Sequence, residues 1–128
     1  MATGSMDFDG SIAFSVRYES ETEATGTMPI QNGILNPFGS VHAGAMIWFA
    51  DVVATTLALQ GTMPTPGMSG FPLAINLSAN LLSNSKDGTL HATAQFVKHG
   101  RRVSTVRTVV TSDDGRQLLE LTSTHIPA

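Results

Sequence analysis

The chain has 128 residues, 41% of them hydrophobic and 13% charged, which is enough to bury one core and too little for two. A net charge of -3 and a pI of about 5.7 exclude a duplex-binding module with a broad basic face, so no nucleic-acid partner is expected. There is no cysteine, which excludes disulfides, thiolate nucleophiles and cysteine metal sites together.

The first residues lack the basic-then-apolar run of a signal peptide, and residues 1–10 are expected to form an N-terminal tail ahead of one folded domain over 11–128. From Ile12 to Tyr18 the apolar Ile12, Phe14, Val16 and Tyr18 alternate with Ser15 and Arg17, as in a half-buried strand. Glu19, Glu21 and Glu23 then read as a solvated connection. Residues 27–34 read as a short extended piece with a turn at Asn32-Gly33.

The stretch from Val41 to Gln60 is apolar and has no glycine or proline after Gly44. With Ser40 as N-cap and Gly61 as stop, it predicts one long helix. It is broken by His42, Asp51, Thr55, Thr56 and Gln60, which makes it a poor membrane span, and a soluble cytoplasmic protein with no membrane partner is expected. Asp51 is the only formal charge within this helix. A helix apolar all round is expected to be wrapped by other structure, where an unpaired carboxylate costs several kcal/mol. Thr55, one turn later, could satisfy it by a hydrogen bond. Alternatively the carboxylate is kept for chemistry. The helix start at His42-Ala43-Gly44 offers unpaired N–H groups and the positive end of the helix dipole, which together can stabilise an oxyanion. Asp51 lies roughly 12 Å further along the same helix, at about 1.5 Å per residue. Two copies with antiparallel helices would bring the N-terminus of one to Asp51 of the other.

Between Gly61 and Pro72, the residues Pro64, Pro66, Gly67 and Gly70 forbid regular structure and mark a long loop that could cover a pocket. Gly67-Met68-Ser69-Gly70 lacks the second spaced glycine of a nucleophile elbow, so Ser69 is read as ordinary loop. After the loop the period becomes two, with Leu73, Ile75, Leu77, Ala79 and Leu81 on one face. Three more strands are predicted over Thr89–Lys98, Arg102–Thr111 and Gln117–Ile126, joined by short turns as an antiparallel meander. The predicted fold is α+β, with one long helix against a curled antiparallel sheet of five to six strands.

Asn36, Gly39, the His42-Ala43-Gly44 triplet, Asp51 and Thr55 resemble the signature of hotdog-fold acyl-CoA thioesterases of the PaaI-like and 4-hydroxybenzoyl-CoA thioesterase type. In that family an Asn or Gln stands fifteen residues before the acidic residue, a His-Gly-Gly begins nine before it, and a Ser or Thr follows four after it; all these spacings hold here. The resemblance runs from about Ser11 to Ile126 and departs at Ala43, where the family usually has glycine. It implies a thioesterase that hydrolyses acyl-CoA to free acid and coenzyme A without a cofactor, as a homodimer or homotetramer. Asp51 would be the nucleophile, forming a mixed anhydride, or the general base toward water. Asn36 would orient the water or the substrate, and Ala43 and Gly44 would supply oxyanion N–H groups. His42 would place the carbonyl or support Asn36, and Thr55 would hydrogen-bond Asp51 or the attacking water. Hotdog-fold hydratases and dehydratases of acyl thioesters, and a non-catalytic acyl-CoA-binding protein, are the alternatives.

His42 and Asp51 have no third ligand at workable spacing, so no metal is expected. No serine stands in a recognisable triad context. Lys98, Arg101 and Arg102 fall within five positions of an otherwise acidic chain. Such a turn is either solvated surface or a contact for the phosphates of coenzyme A, which suit Arg and Lys. Phe38, Trp48, Met63, Met68 and Phe71 are candidates to line an acyl pocket, and His91 and His125 fall in strand patterns with no assigned role.

Overall fold

The computed structural model describes residues 4–128. In chain order its elements are β1 (Ser15–Ser20), β2 (Glu23–Pro29), a 3-10 turn (Asn32–Ile34), α1 (Ala43–Ala58), β3 (Pro72–Leu81), β4 (Thr89–His99), β5 (Ser104–Thr111) and β6 (Gln117–Pro127). The strands form one antiparallel sheet in the order β1-β2-β4-β5-β6-β3, with α1 against it.

The meander expected after the helix holds for β4, β5 and β6 but not for β3, which pairs with β6 at the sheet edge. Both sides of β4 are occupied, by β2 in the register Ala24↔Ala94 and by β5 in the register Ala94↔Thr108, so β3 has no free edge there. Its outer edge pairs with no strand among the described residues, and Leu73, Ile75, Leu77 and Leu81 of β3 are exposed.

Met46, Phe49, Ala50, Val53, Ala54 and Leu57 recur at helical spacing and form the stripe of α1 that is fully buried. They meet Ala24, Met28, Leu90, Ala94, Val106 and Leu121 of the sheet. The helix comes so close to β2 that a Cβ on Gly26 would lie 2.7 Å from Val53 Cγ2 and 2.9 Å from Phe49 Cε1. The opposite face is not wrapped, contrary to what its composition predicts: Asp51, Val52, Thr55 and Thr56 are half-buried and Trp48 is half-exposed.

Two local expectations change. The first strand begins only at Ser15; Ile12 and Phe14 instead pack on the core from an irregular segment, Phe14 standing edge-on to both Trp48 and Phe49. The acidic stretch after it is mostly strand, because the β1–β2 turn is tight and closed by the Ser20 hydroxyl, which accepts from the Thr22 N–H.

Candidate active site

The helix start is built by a compact turn. Asn36 Oδ1 accepts from the N–H groups of Phe38 and Ser40, while Asn36 Nδ2 donates to Ser40 Oγ. Gly39 supplies the left-handed residue of this turn at φ 80°. Ser40 is therefore tied to Asn36 and does not cap the helix as its position predicts. His42 is the N-cap, and its Nδ1 accepts from the Gly44 N–H at 3.1 Å. The Ala43 N–H, first in the helix, has no intrahelical acceptor. The entry to this turn is pinned by Asn84, whose side chain accepts from the Val41 N–H and donates to the Val41 carbonyl. Nothing in the sequence distinguishes Asn84 from other loop asparagines.

Two turns further along, Asp51 and Thr55 open on a cavity of about 880 Å³ lined by Val16, Tyr18, Phe71 and Leu73 among others. The loop after the helix contributes Met63 and Pro64 to the lining of this cavity. Asp51 Oδ1 is buried and has no hydrogen-bond partner among the described residues. Thr55 thus does not satisfy it. Burial pushes the Asp51 carboxyl above its ordinary value, and the charge of His125 draws it partly back.

His42 and Gly44 border a different cavity, of about 350 Å³, together with Trp48. Within one chain the two halves of the candidate constellation, Asp51 with Thr55 and His42 with Gly44, face separate spaces. Of the apolar candidates, Met63 and Phe71 reach the Asp51 cavity and Trp48 the helix-start cavity. Phe38 is exposed and, like Met68, borders neither.

Arg101 and Arg102 sit at the β4–β5 hairpin and border a third cleft, of about 140 Å³, with Gly70, Pro72 and His125. Lys98 lies back in β4 and does not border it. None of the three cations is paired with a carboxylate among the described residues. The chain around the start of β3 borders both this cleft and the Asp51 cavity: Phe71, Leu73 and Ala74 line the cavity, Gly70 and Pro72 the cleft.

His125 borders the third cleft and lies near enough to Asp51 for their charges to interact, a placement the strand pattern does not disclose. It is 2% exposed and opposite Ala74 in the β3–β6 register. Its Nδ1 lies 3.3 Å from the Pro72 carbonyl, which can only accept, so the proton is on Nδ1 and Nε2 accepts from the Ser123 hydroxyl at 2.8 Å. Burial pushes its imidazole below the ordinary histidine range, opposed by the Pro72 hydrogen bond and by Asp51. The available signal was the buried alternation Leu119, Leu121, Ser123, His125, which turns polar at its end. Among the described residues no group of three His, Asp or Glu side chains converges to hold a metal ion, and no helix is long and apolar enough to cross a membrane.

Comparison with known proteins gives this geometry a family. No curated protein matches the sequence. The fold is similar to that of a thioesterase from Haemophilus influenzae, with a TM-score of 0.79 at 16% identity over 90% of this chain and 78% of that one. A hypothetical thioesterase from Streptococcus pneumoniae, solved with coenzyme A, gives 0.78 at 19% identity over 91% and 89%. A Streptococcus mutans protein bound to acetyl-CoA gives 0.79 at 20% identity over 91% and 89%. The sequence profile of the thioesterase superfamily matches residues 38–119, which takes in the helix start, Asp51 and the cationic hairpin. The chain belongs to the thioesterase superfamily and is a thioester hydrolase of the hotdog fold.

Proposed function

We propose that the protein hydrolyses acyl-CoA thioesters to a free acid and coenzyme A, at a site shared by two copies of the chain. The observation that carries this reading is Asp51: a carboxylate with a buried, unpartnered oxygen, at the edge of a largely apolar cavity, in a chain of this superfamily. A desolvated carboxylate is a stronger base and nucleophile than one in water. Asp51 either takes the proton of the attacking water or attacks the thioester carbonyl itself, giving a mixed anhydride that water then opens. In both routes the C–S bond breaks, the sulfur leaves as thiolate and is protonated, and the acid is released.

The carbonyl oxygen gains negative charge in the transition state, and a helix N-terminal N–H aimed at it acts where that charge develops. In this chain the Gly44 N–H is engaged by His42, which leaves the Ala43 N–H as the donor. The methyl group of Ala43 leaves that N–H in place. Asn36 has spent one amide hydrogen on Ser40 and keeps a second for the water or the substrate. Because the Asp51 and His42 cavities are separate within a chain, the reading requires a homodimer at least, the helix start of one copy meeting Asp51 of the other. The unpartnered edge of β3, with its exposed leucines, supports such an association.

Arg101 and Arg102 take the phosphates of coenzyme A, with Lys98 contributing charge from behind. Support comes from their unpaired state, from their cleft beside the Asp51 cavity, and from similar folds solved with coenzyme A and acetyl-CoA. The deciding experiment offers the purified protein a panel of acyl-CoA thioesters and follows free thiol. Thiol should appear in proportion to acid released. Hydration of an enoyl-CoA without thiol, or tight binding without turnover, would refute the proposal.

A further inference from the structure

The cavity at the helix start is walled by a segment that lies ahead of the first strand. Phe8 and Ile12 line it together with Ile34 and Trp48, and Asp9, His42 and Gly44 are the polar residues on its border. The segment is held by a backbone crossing that only glycine permits. A Cβ on Gly10 would lie 2.6 Å from the Gly33 carbonyl oxygen, and a Cβ on Gly33 would collide with the backbone of Ser11. Gln31 fastens the next residues, its Oε1 accepting from the Ala13 N–H at 3.0 Å and its Nε2 donating to the Ala13 carbonyl at 2.9 Å. Phe14 stacks edge-on against Trp48 at 5.5 Å, which fixes the indole from behind.

Two aromatic side chains on this wall are exposed among the described residues. Phe8 is 84% exposed and Trp48 50% exposed. Exposed aromatics bordering an apolar concavity next to oriented polar groups are the usual make-up of a small-molecule site.

We infer that this cavity receives the acyl group of the thioester, an apolar chain longer than acetyl, and that the segment from Phe8 to Ile12 sets which acyl groups are accepted. The inference rests on the acyl-CoA reading above and follows from the order of the groups along the substrate. On one copy the residues around the start of β3 border both the Asp51 cavity and the cationic cleft, so the coenzyme end is assigned there. The carbonyl lies at the helix start of the other copy. The acyl end then continues past His42 and Gly44 into the space beneath Phe8 and Trp48 of that second copy. Apolar contact of this kind discriminates by about an order of magnitude or more per methylene or two.

Trp48 is the sole tryptophan, so its fluorescence reports directly on this cavity. The test titrates the protein with the non-hydrolysable thioether analogue of octanoyl-CoA and, separately, with coenzyme A. The analogue should shift Trp48 emission to the blue and coenzyme A should not, and Phe8→Ala should weaken binding of the analogue several-fold. With hydrolysable substrates, Phe8→Ala should lower kcat/KM for octanoyl-CoA about tenfold relative to acetyl-CoA. An analogue that binds without changing Trp48 emission, or an equal response to coenzyme A alone, overturns the assignment and leaves thioester hydrolysis standing. A parallel loss for both acyl lengths in Phe8→Ala overturns it too, because that is the mark of a segment covered by the second copy. Acyl-dependent Trp48 shifts without thiol release at any chain length would instead retain the cavity and refute the hydrolysis.

Discussion

Asp51 and His125 are near enough for each to feel the other's charge, yet burial drives both toward their neutral forms. The pair therefore does not behave as a buried salt bridge. Burial draws His125 toward its neutral form against the pull of its Pro72 hydrogen bond, and Asp51 is left with a buried oxygen that has no partner among the described residues. The two groups consequently contribute to stability with opposite dependence on pH.

For His125 the folded pKa lies below the unfolded one, so its contribution to stability is present above about pH 6.5 and is lost as pH falls through the folded value. For Asp51 the folded pKa lies above the unfolded one, so its contribution is present below about pH 4 and is lost as pH rises through the folded value. The wild-type melting temperature should begin to fall when pH drops below about 6.5. His125→Gln should flatten that limb while costing stability at neutral pH, where its two hydrogen bonds are lost. On the proposed mechanism, in which the carboxylate reacts, the acid limb of kcat/KM should lie above the ordinary aspartate range. Melting curves and rates from pH 4 to 8 check both.

Asp51→Asn retains size and removes the charge whose burial is unfavourable at neutral pH. Melting temperature should stay the same or rise. Turnover should fall by a factor of about a hundred to ten thousand, or roughly 3 kcal/mol and more in the barrier. Affinity for acyl-CoA should change far less, as for an interaction made in the transition state. Near-normal hydrolysis, or joint loss of fold and activity, would return Asp51 to a structural role.

The proposed site, shared by two chains, makes a complementation prediction. Asp51→Asn and a helix-start variant such as Ala43→Pro, which removes the N–H donor, should each be inactive. Mixed and allowed to exchange, they should regain partial activity through the hybrid site that carries both intact halves. Activity that stays at the level of the separate variants, with exchange verified by mass, counts against the shared site.

For the cationic hairpin, a lost charge-assisted contact at a partly exposed position is worth on the order of 1 to 2 kcal/mol. Arg101→Ala or Arg102→Ala should thus raise KM for acyl-CoA by about five- to thirtyfold and change kcat little. The effect should shrink at high salt, since the pairing is solvent-facing. Unaltered kinetics in both would mark the turn as solvated surface.

Two substitutions in the core test the packing that carries the helix. Gly26→Ala forces a methyl into Val53 and Phe49 and should destabilise by about 1 to 3 kcal/mol. Thr108 buries a hydroxyl with no partner among the described residues, so Thr108→Val, of nearly equal shape, should stabilise by about 1 kcal/mol. Denaturant midpoints decide both signs.

The elements that depend on near neighbours were legible in the sequence. Period-two alternation located β3 to β6 to within a few residues, because side chains must alternate across a pleated sheet whatever lies beyond it. The apolar run without glycine or proline located α1, and the spacing of Asn36, His42, Asp51 and Thr55 pointed to the thioesterase superfamily before any coordinates. What depends on which segment lies beside which was not legible. Ser40 lost the cap to His42 because Asn36 claimed its hydroxyl, a competition between side chains that local preference does not rank. Only the pairing of β3 with β6 placed His125 against Pro72 and beside Asp51, across more than fifty residues of chain. Only the crossing of Gly10 over Gly33 turned the approach to the first strand into the wall of a cavity. A residue's own chemistry and its near neighbours along the chain are written in the sequence; the desolvation that raises Asp51, and the partner its oxygen lacks, come from the packing of distant segments and exist only in the fold.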